Sequence, residues 1–304
     1  MKLLDLFFLL RPIVLIPSWA FLLAGVLRAS ESSGQVPPPL GELWLPLLLF
    51  TMSLAGSYVV NQIYDADSDR ENGKLFLISE GHVTTGAAWI MAIALLAGSV
   101  AGSLVFDRTV LPWTLLAAVI GLLYSADPAR LKARPLLDLL ANATGYGLVA
   151  FLFGYSRVAP VSPDTLVLSV PYMLLVAAVF VHTTVVDRPG DEKAGLRTTA
   201  VLLGDRNTSW FGLALLAGAL GAGWTLGEPY PAVAAFGAIA FFLLSVIDPG
   251  VKGSTLSYQW GSLVFVILII IRMPLFGALL VLLVLLTRLY YRFRFGMKYP
   301  KLDF

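Results

Sequence analysis

The sequence predicts an all-α fold: a polytopic transmembrane helical bundle of nine to ten spans, in two pseudo-repeat halves around a central cavity open to the cytoplasmic side. Three observations lead there. The 304 residues are 58% hydrophobic and 13% charged, with a mean hydropathy of +0.82, whereas soluble domains carry about 25% charged residues. Apolar stretches long enough to cross a bilayer recur along the whole chain,. A run of oxygen-bearing side chains at four-residue steps occurs twice, each time where such a stretch ends.

The apolar segments run approximately over 7–27, 42–64, 86–106, 110–125, 136–155, 165–186, 208–227, 230–247, 255–271 and 274–291. The first holds Arg11, Pro12 and Pro17 and lacks a basic leader with a small-residue cleavage site, so it reads as a retained span,. With a cytoplasmic N-terminus, Arg28, Arg108, Arg157 and Arg272 fall outside. Inside fall Arg70, Lys74, Arg130, Lys132, Arg134, Arg188, Lys193, Arg197, Arg206 and Lys252. The basic tail beginning at Arg288 joins them only if all ten segments cross. The positive-inside rule therefore favours a cytoplasmic N-terminus, with both acidic clusters opening on that side. The whole chain, 1–304, reads as a single transmembrane domain. Absence of cysteine excludes disulfides, zinc–thiolate centres and thiol nucleophiles,. The lipid bilayer is the expected partner; neither nucleic acid nor an obligate protein partner is indicated.

The first cluster is Asn61, Asp65 and Asp69; the second is Asp187 and Asp191. Four residues turn a helix by about 400° and raise it by about 6 Å, so each cluster lies on one slowly drifting face. Carboxylates beside a membrane are expensive and point to function. Oxygen-only ligands suit a hard cation, and Mg²⁺ binds through one or two carboxylates completed by phosphate oxygens and water. Asp67 lies off the stripe. A constant shift of 122 residues relates 61, 65 and 69 to Thr183, Asp187 and Asp191, with Gly81/Gly204 and Trp89/Trp210 near the same offset. The chain thus reads as pseudo-repeats of approximately 1–130 and 131–304.

Cations complete the pattern. The segment Tyr124-Ser125-Ala126-Asp127-Pro128-Ala129-Arg130-Leu131-Lys132 follows the fourth span on the same side. Pro128 ends the helix and brings a phenol and two or three cations to the bundle mouth. Lys74 and Lys193 follow their stripes closely. Lysine and arginine there suit phosphate.

At these residues the chain resembles the UbiA-type intramembrane prenyltransferases. The resemblance is carried by Asn61-x3-Asp65-x3-Asp69, by Tyr124-Ser125 with Pro128-x-Arg130-Leu131-Lys132, and by Asp187-x3-Asp191 followed by Lys193, Gly195, Thr198 and Gly204. It implies a helical bundle, usually of nine spans, that transfers a prenyl group from an allylic isoprenyl diphosphate donor to a lipophilic acceptor. It implies that Asn61, Asp65, Asp69, Asp187 and Asp191 hold two Mg²⁺ ions on the diphosphate. Lys74, Tyr124, Lys132 and Lys193 would contact that diphosphate, with Arg11 near it. The catalytic set would be Asp65, Asp69, Asp187, Asp191 and Lys132.

The chain departs from the family in three places. Phe76 and Leu77 stand where a basic-proline pair is common, Asp138 stands where a small residue is usual, and Arg188-Pro189-Gly190 makes the second cluster less acidic. Terpene cyclisation or prenyl-diphosphate hydrolysis would use the same ionisation residues. An ion-coupled secondary transporter would place its charges nearer the bilayer midplane. A CDP-alcohol phosphotransferase would need an Asp-Gly and Ala-Arg order that the first cluster lacks.

Overall fold

The computed structural model describes residues 2–71 and 76–300, and these contain no strand. Leaving the short helices Phe76–Ser79 and Pro163–Leu168 unlabelled, the helices in chain order are α1 (Lys2–Leu9), α2 (Ile16–Ser33), α3 (Leu40–Glu71), α4 (Thr85–Phe106), α5 (Leu111–Ser125) and α6 (Leu137–Ser156, π-helical over Ala143–Ala150). They continue with α7 (Val170–Lys193), α8 (Thr199–Thr225), α9 (Pro229–Ile247), α10 (Val251–Arg272) and α11 (Pro274–Phe295). Each of the ten apolar segments is mostly helical. Among the described residues, eight helical stretches are long and apolar enough to cross a membrane, which makes this an integral multi-pass membrane protein. Segment 110–125 falls on the shorter α5, and 208–227 falls on α8, where Gly204 interrupts the helix at φ 73°. Only glycine takes that backbone readily.

Helix boundaries follow local chemistry. The first apolar segment is broken because Arg11 adopts a left-handed backbone (φ 55°) and Pro12 has no N–H to donate,. A 3-10 turn, Pro12–Leu15, then leads into α2. Thr84 caps α4 by accepting the Ala87 N–H at 3.2 Å,. Proline opens α9 and α11, where its missing donor is tolerated,.

The described chain divides into two units. The first holds residues 2–16, 39–71, 76–130 and 274–300. Here α3 packs against α4 and α5. Ser99 and Ser53 hydroxyls bond the Leu49 and Thr114 carbonyls, each at 2.7 Å, so the helices are joined by polar contacts as well as packing,. Phe8 of α1 stacks on Tyr290 of α11 at 3.8 Å between ring centroids, and Tyr290 donates to the buried Asp5 at 2.7 Å. Gln62 donates to the Leu9 carbonyl at 2.8 Å, tying α3 to the end of α1 one residue from Asn61.

The second unit holds residues 17–38 and 131–273, with α7 against α6, α8 and α10. The backbones of α2 and α6 touch at two glycines: a Cβ at Gly25 would meet the Phe151 carbonyl, and one at Gly154 would meet that of Leu22. Small residues permit this approach in lipid, where packing rather than water exclusion drives association. Phe21, Phe151, Tyr172 and Phe265 form a buried aromatic set, with Phe151 stacked on Tyr172 at 4.1 Å and Phe21 on Phe265 at 4.4 Å. Beside it, Arg28 Nε donates to Glu228 at 2.6 Å and the Tyr172 hydroxyl donates to the same carboxylate at 3.0 Å. A buried carboxylate is tolerated because it is paired and hydrogen-bonded.

Candidate active site

The apolar part of α3 ends near Tyr64, yet the helix continues to Glu71. Asn61, Asp65 and Asp69 therefore lie on successive turns of one uninterrupted helix. Asn61 Nδ2 donates to Asp65 Oδ2 at 3.0 Å, which leaves the Asn61 carbonyl oxygen outside that bond. Asp69 is buried, at 9% exposure. Asp67 is exposed at 98% and sits 3.6 Å from Arg70, whose guanidinium donates to the Ser79 carbonyl at 2.7 and 3.0 Å.

The loop after α5 supplies the cation. Tyr124 is half-buried in the last turn of α5. Arg130 N–H donates to the Ala126 carbonyl at 2.9 Å, and Arg130 itself takes a left-handed backbone at φ 36°. Its Nη2 stands 4.0 Å from Asp65 Oδ1. Its Nε is buried without a hydrogen-bond partner among the described residues. The resemblance gave Arg130 no role of its own, although it lies in the matching segment; only the turn of the loop shows that it reaches the first stripe. Arg11 Nε is likewise buried and unbonded, in a small pocket with Phe8, Gln62, Leu77, Thr287 and Tyr291. Lys74 lies outside the described residues.

In the second unit, Asp187 is exposed and Asp191 half-buried on the last turns of α7, and Lys193 ends that helix, exposed. Thr183 spends its hydroxyl proton on the Phe180 carbonyl at 2.7 Å. Arg188 donates to Glu192 at 2.8 Å and Asp205 at 2.7 Å, so the unusual basic residue between the two aspartates bridges α7 to α8. Lys132 is buried at 8% exposure, in the 3-10 turn Leu131–Ala133. His182 bonds Ser257 at 2.5 Å, and His82 faces Glu80 at 3.5 Å.

Among the described residues no three Asp, Glu or His side chains converge as a complete metal cage. The donor set nevertheless fits Mg²⁺. An amide and carboxylates on one helix provide hard oxygen ligands, and a bound diphosphate completes such a shell. The unbonded Arg11 and Arg130 Nε atoms are donors of the kind a polyanion takes,. The first unit thus holds Arg11, Asn61, Asp65, Asp69 and Tyr124, and the second holds Lys132, Asp187, Asp191 and Lys193.

Comparison with known proteins identifies the family of the chain. A lycopene elongase/hydratase from Haloarcula japonica is 30% identical over 207 residues, covering 64% of this chain and 66% of the relative. A digeranylgeranylglyceryl phosphate synthase from Methanoculleus marisnigri is 28% identical over 193 residues, covering 63% and 66%. The chain spans just under two thirds of the length of either relative. A solved structure of a UbiA homolog from Archaeoglobus fulgidus bound to GPP and Mg²⁺ superposes with a TM-score of 0.68 at 26% identity. It covers 90% of this chain and 100% of that one. Residues 18–254 match the model of the UbiA prenyltransferase family, and the protein belongs to that family.

Proposed function

We propose that the protein transfers a prenyl group from an allylic isoprenyl diphosphate to a lipophilic acceptor within the membrane. The observation that carries this reading is the Asn61–Asp65 pair on a helix extension, with the Arg130 cation 4.0 Å from the carboxylate. Such a site suits an anionic substrate that arrives with its own metal. Asn61, Asp65, Asp69, Asp187 and Asp191 would hold two Mg²⁺ ions; Lys74, Tyr124, Lys132, Lys193 and Arg11 would contact the diphosphate. Mg²⁺, when bound, supplies charge neutralisation of the diphosphate leaving group. The basic residues bind and orient that group and stabilise the charge it gains as the allylic C–O bond breaks. The diphosphate leaves with the bonding electron pair, a π bond or lone pair of the acceptor forms the new bond to carbon, and the acceptor then loses a proton to the released diphosphate or to water. Apolar walls exclude the water that would otherwise capture the cation.

The protein in this reading is a single membrane domain of two pseudo-repeats, 1–130 and 131–304. It has nine to ten spans, with its N-terminus and site opening on the cytoplasmic side. A lycopene elongase/hydratase and a digeranylgeranylglyceryl phosphate synthase among its relatives support a polyene or an isoprenoid glycerol lipid as acceptor, with a phenolic or quinone-type ring as the third alternative. Cyclisation or hydrolysis would use the same ionising residues without an acceptor. The test is turnover of labelled geranyl, farnesyl and geranylgeranyl diphosphates by purified protein with Mg²⁺ and membrane lipid extract. Label entering a lipid supports transfer and identifies the acceptor. Diphosphate release with label only in a cyclised or hydrolysed prenyl product would overturn transfer.

A further inference from the structure

Asp138 is the acid that the sequence places where a small residue is usual, and the structure buries it to 1% exposure. Its carboxylate accepts the Leu139 N–H at 2.7 Å, the Thr199 N–H at 2.8 Å and the Thr199 hydroxyl at 2.5 Å. Thr199 Oγ1 in turn accepts the Leu136 N–H at 2.8 Å. Two side chains thus make four hydrogen bonds, three of which join the start of α6 to the start of α8 across 61 to 63 residues of sequence. A carboxylate at helix N-termini is well placed electrostatically. Simple packing would have been met by a small apolar residue.

What this latch holds lies at the ends of two short arms. One runs back from Asp138 to Lys132, fixed by Asp138 N–H to the Arg134 carbonyl (3.1 Å) and Arg134 N–H to the Leu131 carbonyl (3.0 Å). The other runs back from Thr199 to Asp191, fixed by Leu196 N–H to the Asp191 carbonyl at 2.8 Å, with Gly195 turning at φ 70°. Both arms belong to the second unit. Hydrogen bonds thus tie Asp138 back to Leu131, next to Lys132, and Leu196 back to Asp191, with only residues 197–198 between Leu196 and Thr199.

We propose that Asp138 and Thr199 are positioning residues that set the separation of Lys132 from Asp191, so that both engage one diphosphate. The proposal rests on the function proposed above. Neither residue touches substrate; each acts through the arm it anchors. A misplacement of about 1 Å in such a constellation lowers rates by about a hundredfold, so loosening the latch weakens engagement of the diphosphate without removing any group that binds it.

The experiment is calorimetric binding of a non-ionising thio analogue of geranyl diphosphate, with Mg²⁺, to detergent-purified full-length protein, with Tm measured in parallel. Thr199→Val removes the hydroxyl and keeps the shape; Thr199→Ser keeps the hydroxyl. Thr199→Val is expected to weaken binding by about tenfold or more, and Thr199→Ser by no more than about twofold. In a Lys132→Ala background, Thr199→Val is expected to add little, because the two losses share one cause. Asp138→Asn provides the same comparison should Thr199→Val fail to fold. A lowered Tm with wild-type affinity, or losses that multiply with Lys132→Ala, would overturn the latch and leave the proposed function standing. Wild-type protein that does not bind the analogue would overturn both.

Discussion

Arg130 Nη2 stands 4.0 Å from Asp65 Oδ1, carried there by a left-handed residue in the loop after α5. The pair is partly exposed, so its contribution to stability is about 0–1 kcal/mol. The left-handed backbone costs a non-glycine residue about 1–3 kcal/mol. The strain is at least as large as the ion pair's contribution, so stability alone does not account for Arg130.

Arg130→Gly should therefore separate stability from function. Tm should be unchanged or slightly raised, while affinity for an allylic diphosphate falls by about tenfold or more, in line with loss of a charge-assisted contact. Parallel melting curves and binding titrations check this. A variant that melts earlier and binds normally would assign Arg130 to folding.

Asp65→Ala and Asp191→Ala should abolish Mg²⁺-dependent turnover with the folded fraction retained, since both residues lie at helix ends outside the apolar core. Asp67→Ala is the matched control. Its side chain is 98% exposed and off the stripe, so activity should stay within about twofold of wild type, as expected of a surface change. Initial rates per milligram of monodisperse protein measure all three; equal losses in all three would remove the stripe as the organising feature.

Glu228→Gln should destabilise strongly and leave the chemistry alone. The change leaves Arg28 without its charge partner and weakens the acceptor of the Tyr172 hydroxyl. Breaking a buried pair on one side costs about 3–5 kcal/mol. A lowered Tm with an unchanged KM for diphosphate is the expected pattern, read by thermal unfolding in detergent and by kinetics at a temperature where both proteins are folded.

Gly154→Ala should impair assembly of α2 against α6, because the added methyl meets the Leu22 carbonyl. Overpacking of this kind costs about 1–3 kcal/mol. The check is the yield of monodisperse protein together with Tm; a normal Tm would mean that the two helices separate without penalty.

Much of this was legible in the sequence because its signals are local. The four-residue step places Asn61, Asp65 and Asp69 on one helix face whatever the tertiary structure, and apolar runs of spanning length mark helices one by one. The break at Arg11 was partly visible through Pro12, but the apolar composition around it reads as one continuous span. The contacts that order the loops were not visible. Asp138 meets Thr199, and Arg28 meets Glu228, across long stretches of chain, and no periodicity encodes such pairs. Arg130 reaches Asp65 only because its backbone turns left-handed, which residue type does not announce.

Metal-dependent capture of a diphosphate is what the oxygen stripe and its cations are expected to achieve together. The most direct measurement is equilibrium binding of geranyl, farnesyl and geranylgeranyl diphosphates to the purified protein, with Mg²⁺ and again with excess chelator. At least one of them should bind with Mg²⁺, with affinity reduced by about tenfold or more when the metal is removed and lost in Asp65→Ala. Binding that is indifferent to both metal and Asp65, or no binding of any allylic diphosphate, would contradict this expectation.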